Sequence, residues 1–251
     1  MNWYYWAEPD EQTFKTIQEA DRPQIVCPGT GSWGGFCESY DMDLINIPKM
    51  AEYGYKYGAY GVLNTNWGDW GNPCSIELAM FGLVLGAEKS WNVSTEADKA
   101  YIEAVNKLVY KNKNATEYIK RLSRCCEKMS WVVFAKCYAN ILTDGKAFSV
   151  ELAKQDNVSF VINESNDIID SISGEDWEEE RYKTEIILSA KAVKIIAENI
   201  GILAGYDIKK ETDTSEWLKE YRKAWLEKNK ESELVEIEKV FLAINNATDT
   251  H

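Results

Sequence analysis

An α/β unit over residues 1–91 followed by an all-helical unit over 92–251 is the fold class this sequence predicts, and three observations predict it. In the first ninety residues, short apolar runs alternate with segments of helical spacing, the pattern of parallel strands joined by crossover helices. Each run except the first passes into a loop of glycine, aromatic and polar residues. From Thr95 onward Gly and Pro become sparse while apolar residues recur every three or four positions, as in packed helices. Hydrophobic residues make up 45% of the 251, enough for a real core.

The elements follow in order. Residues 2–6 are aromatic and strand-like, and Glu8, Pro9 and Asp10 end the run. Proline at the entry and acidic residues in the first turn start a helix over 10–20, with Phe14 and Ile17 inward. A second strand over 24–28 runs into Gly29, Thr30, Gly31, Ser32, Trp33, Gly34 and Gly35. A helix over 47–57 carries Met50, Tyr53 and Gly54 at helical spacing, a third strand covers 59–65, and an apolar helix covers 75–89. Beyond residue 95 helices are expected over 101–110, 116–143, 146–154, 177–203 and 215–243. Asp213 to Glu216 reads as a helix cap, and Trp217, Leu218, Tyr221 and Trp225 form one core-facing stripe. The acidic run 175–180 reads as a solvated helix start.

The third strand and its loop hold the most unusual chemistry. Asn64, Thr65, Asn66, Trp67, Asp69, Trp70 and Asn72 are threaded with Gly68 and Gly71, which let the backbone bend sharply. Indole faces beside carboxylate and amide groups suit a sugar ring, which offers C–H faces to stack and hydroxyls to hydrogen-bond. A packed Gly-rich aromatic loop would have the same composition. All the unusual residues sit at C-terminal strand ends, where parallel α/β folds place their sites.

Composition removes several function classes. The net charge of −13 opposes binding to nucleic acid or anionic membranes. The single histidine, His251, leaves no base for a Ser-His-Asp or Cys-His engine and no His-rich zinc site. Six cysteines without CxxC spacing, two of them adjacent at 125 and 126, fit reduced thiols better than a disulfide framework. No basic stretch followed by an apolar one opens the chain, so a soluble, cytoplasmic protein is expected. No metal or cofactor is expected.

Four segments carry a resemblance. Trp3-Tyr-Tyr-Trp-Ala-Glu8, Ile25-Val-Cys-Pro-Gly-Thr-Gly-Ser-Trp33, Asn46 and Ile47 with Met50 and Ala51, and above all Gly61-Val-Leu-Asn-Thr-Asn-Trp-Gly-Asp69 resemble the last part of the catalytic barrel of glycoside hydrolase family 20, the β-N-acetylhexosaminidases. Trp217-Leu-Lys-Glu-Tyr-Arg-Lys-Ala-Trp225 looks like the helical region that follows that barrel in some bacterial members. The resemblance implies a partial (β/α) TIM-type barrel of about three βα units, with a C-terminal helical domain. It also implies a retaining, substrate-assisted mechanism served by an adjacent Asp-Glu pair, an exception to the two-carboxylate scheme. That pair belongs to an earlier strand than any this chain resembles. Asp10-Glu11, the only such dipeptide before the helical region, falls in a helix start, so no catalytic residue is expected here.

What the resemblance carries over is substrate binding: Trp67 as the tryptophan packing on the sugar at the −1 subsite, and Asp69 where the family usually has a Glu bonding the outer hydroxyls. Trp33 and Trp6 extend the aromatic wall from neighbouring strand ends. The expected partners are an N-acetylhexosamine-containing glycan and, because three strands leave open edges, a second copy or a chain carrying the missing barrel half. The alternatives are a noncatalytic carbohydrate-binding or protein-interaction module, and a different hydrolase using Glu8 and Asp69 as its carboxylate pair.

Overall fold

The computed structural model describes residues 1–136 and 153–249. Three short strands, β1 (Asn2–Trp3), β2 (Ile25–Cys27) and β3 (Gly61–Val62), form one parallel sheet in the order β1-β2-β3. Asn2 pairs with Val26, Trp3 with Cys27, Ile25 with Gly61 and Val26 with Val62, and a parallel bridge joins Gly29 to Thr65. Helices α1 (Glu11–Glu19) and α2 (Tyr40–Lys56) make the two crossovers. Asp10 caps α1 by accepting the Gln12 N–H at 3.0 Å.

Alternation along the strands gives this sheet two unlike faces. Val26 is fully buried against Phe14 of α1 and Met50 of α2. On the other face Trp3 is 50% exposed, Ile25 38% and Leu63 46%. Parallel sheets are normally covered on both faces, and here the second face is covered at Cys27 but leaves apolar surface open at Trp3, Ile25 and Leu63.

Two N-terminal expectations are corrected. The first strand covers two residues rather than 2–6, because the Tyr4 and Trp6 carbonyls accept from the Asn46 amide, at 3.0 and 2.6 Å, instead of extending the ladder. Helix α2 begins at Tyr40, seven residues before the expected start, and runs through Pro48. The proline ring costs the Leu44 carbonyl its N–H partner. Burial of the first turns compensates, with Tyr40 stacked on Phe81 at 4.3 Å and Asp43 and Asn46 enclosed.

After β3 a 3-10 turn (Ile76–Ala79) leads into α3 (Met80–Trp91). The described helices of the second region are α4 (Lys99–Val105), which continues into a π turn (Asn106–Tyr110), α5 (Ala115–Lys128), α6 (Trp131–Lys136), α7 (Gln155–Ser173), α8 (Glu180–Leu203), α9 (Thr214–Leu226) and α10 (Leu234–Asp249). The helix expected over 116–143 therefore breaks at Met129 and Ser130, and that expected over 215–243 divides in the polar stretch 227–233. The helix expected over 146–154 falls almost wholly outside the described residues. Helix α7 was not expected: its Asn, Ser and β-branched residues are weak helix formers, and packing of Val158, Val161, Ile168 and Ile172 overrides them. Glu175 is not merely solvated, since it accepts from Asn112, Asn114 and Tyr118 at 2.7–3.1 Å.

One core joins both regions. Phe36, from the loop after β2, sits among Trp131, Trp217, Tyr221 and Phe241 with ring centroids 5.4–6.2 Å apart, mostly edge to face. The stripe Trp217, Leu218, Tyr221 and Trp225 is buried as expected, and Asp213 caps α9 through the Ser215 and Glu216 N–H groups. The five described cysteines are free and buried, while Cys137 lies outside the described residues. No described helix is long and apolar enough to cross a membrane.

Candidate functional site

Three aromatic side chains, one from the end of each strand, meet above the sheet. Tyr5 follows β1, Trp33 follows β2 and Trp67 follows β3. The Tyr5 and Trp33 rings lie 5.0 Å apart at 52°, and Trp67 donates its indole N–H to the Tyr5 hydroxyl at 2.7 Å. Gly29 makes the approach possible, since an added Cβ would stand 3.1 Å from both Tyr5 and Trp33. Trp67 remains 45% exposed: its edge is spent on Tyr5 while much of its surface is open to a ligand.

Polar groups back this cluster. The Asn66 side-chain oxygen accepts from Thr30 at 3.0 Å and from Ser32, whose hydroxyl also reaches the Trp67 carbonyl at 3.2 Å. Thr65 donates to the Pro28 carbonyl at 2.7 Å. The loops after β2 and β3 are thus tied side by side through the residues flanking Trp33 and Trp67.

The helical region holds both loops from behind. Phe36 anchors the β2 loop in the main core, three residues after Trp33. In the β3 loop, Trp70, Gly71 and Asn72 all have positive φ, of 53°, 87° and 53°, a strained turn for two non-glycine residues. Trp131 donates to the Trp70 carbonyl at 2.8 Å and Tyr221 to the Pro73 carbonyl at 3.2 Å. These contacts over-determine a turn that the loop alone would relax.

Beneath the rim lies a pair of enclosed carboxyl groups, Glu38 and Asp43, both 0% exposed. Glu38 accepts the Gly82 N–H at 2.8 Å, in the first turn of α3, where the helix dipole favours an anion. Burial nevertheless pushes its carboxyl up to about 8, against the Gly82 hydrogen bond. Asp43 is pushed well above the usual carboxylate range, by burial first and then by Glu38 beside it. Burial thus favours the protonated form of both carboxyls, and the Glu38–Gly82 hydrogen bond ties the loop before α2 to the start of α3, while Glu38 Oε1 and both Asp43 oxygens have no hydrogen-bond partner among the described residues.

Of the residues expected from sequence, Trp33 and Trp67 are brought together through Tyr5. Asp69 is exposed on the Trp67 loop. Trp6 is 74% exposed, with its carbonyl held by Asn46. Asp10 is a helix cap and Glu11 is bound by Lys56 and by the Tyr57 hydroxyl at 2.8 Å, so neither stands at a strand end. Sequence reasoning missed Tyr5, hidden in an aromatic run where no pattern marks one ring as central. It also missed Thr30, Ser32 and Asn66, which register only once β2 and β3 are neighbours. Among the described residues no group of three or more His, Cys, Asp or Glu side chains could hold a metal ion. No protein-family model matches this sequence, and no curated protein is significantly similar to it.

Proposed function

We propose that this chain is the sugar-holding, C-terminal part of a β-N-acetylhexosaminidase-like glycoside hydrolase, with its three βα units corresponding to the last three of a (β/α) barrel. The observation that carries the reading is the Tyr5–Trp33–Trp67 cluster, built from the ends of three parallel strands and left with an open indole surface. An N-acetylhexosamine ring stacks on Trp67, and Asp69 accepts from its outer hydroxyls. The bare sheet face at Trp3, Ile25 and Leu63 supports the barrel reading, because in a closed barrel that face is interior. Acid/base catalysis is not assigned to this chain.

The test is an assay of the chain alone against a nitrophenyl β-N-acetylglucosaminide, with calorimetric titration of N-acetylglucosamine oligomers. Binding without turnover is expected, and Trp67→Ala should weaken it about tenfold or more, the order expected for losing a stacking indole. Turnover abolished by Asp69→Asn would overturn the assignment, and so would the absence of glycan binding. A noncatalytic carbohydrate-binding module is the second reading, favoured by the core at Phe36, which packs the loop after β2 onto the helical region. Light scattering separates the two: a clean monomer or closed dimer fits the module, whereas aggregation through the bare sheet fits a barrel part.

A further inference from the structure

The β3 loop and the helical region line a cavity of about 130 Å³ that Asn66 borders and that none of Tyr5, Trp33 and Trp67 lines. Its wall includes Asn66, Ser75, Glu185, Trp225, Lys228 and Asn229. Nothing in the rim chemistry uses this space.

The wall is built, and its polar groups are incompletely used. The Asn66 oxygen is committed to Thr30 and Ser32, and its Nδ2 has no partner among the described residues. The Ser75 hydroxyl oxygen is enclosed with no hydrogen-bond partner, which is costly unless something occupies the space beside it. Lys228 bridges Glu77 at 2.9 Å and the nearly buried Glu185, so one ammonium faces two carboxylates. Trp225 has its indole N–H fixed on the Lys230 carbonyl at 2.7 Å, which sets the ring as a rigid wall.

These features define a ligand class. An anion would meet a cluster with a net charge of −1, and a cation would have to compete with Lys228 for the same carboxylates. A purely apolar ligand would leave Asn66 and Ser75 unpaired. A neutral, hydroxyl-rich ring satisfies donors and acceptors alike and rests its C–H surface on Trp225. The volume is close to the ~150 Å³ of a cavity that accommodates one benzene ring. It therefore admits one edge of a single monosaccharide, with the rest of the sugar at the mouth, and not two rings.

We propose that this cavity is a second carbohydrate site, taking a single neutral monosaccharide ring between the β3 loop and the end of α9. It shares Asn66, and the loop supports Asn72, Pro73 and Tyr221, with the rim surroundings but none of Tyr5, Trp33 and Trp67, so it stands or falls separately from the rim reading. The experiment uses the whole chain with ¹⁵N-labelled indoles and N-acetylglucosamine as the probe, following the Trp225 and Trp67 resonances as separate reporters. The Trp225 resonance should shift saturably, and Trp67→Ala should leave that curve in place. Glu185→Gln should weaken it about tenfold or more, as expected for a lost hydrogen bond to a charged group, and Asn229→Ala severalfold. Asn229 is exposed, so its variant reports even if Glu185→Gln destabilises the fold. A Trp225 resonance that stays still in the native chain, or a curve unchanged by the wall substitutions that fold, overturns the proposal and leaves a cleft filled by water alone.

Discussion

Replacing Asp43 by Asn should flatten the pH dependence of stability, although it alters a fully buried side chain. In the folded chain Glu38 titrates at about 8 and Asp43 well above the carboxylate range. Unfolded, the two groups ionise near pH 4. Raised carboxyl pKa values stabilise at low pH. Their contribution is complete below the unfolded values and declines as pH rises, until each folded value is passed. Between about pH 5 and 8 Glu38 alone keeps a proton that the unfolded chain has released, which removes up to about 1.4 kcal/mol per pH unit, and the raised Asp43 steepens the slope in the same direction. Asn at position 43 keeps a donor toward Glu38 and deletes the Asp43 proton. The slope should then be shallower, so the variant should lose less stability than the native chain as pH rises from 5 to 8. Urea unfolding at several pH values from 5 to 8, analysed with a common m-value, reads this directly. Parallel native and variant curves would refute the shared burial of the two acids.

Other substitutions test the packing around the site. Gly82→Ala would place a Cβ 2.5 Å from Asp43 Oδ2 and 2.9 Å from Glu38 Oε2. Helix propensity alone favours alanine by about 1 kcal/mol, but the clash should reverse the sign and cost about 1–3 kcal/mol; a raised melting temperature would contradict the close approach. Asp213→Ala removes the cap of α9 and should cost about 1 kcal/mol, readable as a shift in the urea midpoint. Burial holds the Cys125 thiol up at about 12 and pushes Cys37 and Cys74 higher than an ordinary thiol. Thiol-reagent labelling of these cysteines should therefore follow unfolding, and fast labelling of any of them in the native chain would show an opening that the fold does not provide.

The sequence made some of this legible. Phe14 and Met50 were readable as core because the helix period placed them on one face, and Asp213 was readable because capping is local chemistry. Trp33 and Trp67 were readable as rim residues because glycines beyond an apolar run signal a strand end. The early start of α2 was hidden because Pro48 interrupts the helical pattern while a compensating contact, Tyr40 on Phe81, comes from a residue 41 positions away. Helix α7 was hidden because its propensity is poor and its stability comes from tertiary burial. The role of the helices in holding the β3 loop was also out of reach. Trp131 and Tyr221 carry the signature of core residues, and only the folded chain brings their N–H and O–H groups to the Trp70 and Pro73 carbonyls.

The most direct test of the aromatic rim is a titration of the N-acetylglucosamine disaccharide followed through the indole resonances of Trp33 and Trp67. Both rings touch Tyr5, so a sugar seated there should move both resonances along one binding curve. Tyr5→Ala, which removes the group joining them, should weaken that curve about tenfold. Resonances that remain in place at saturating disaccharide would contradict a sugar-binding rim.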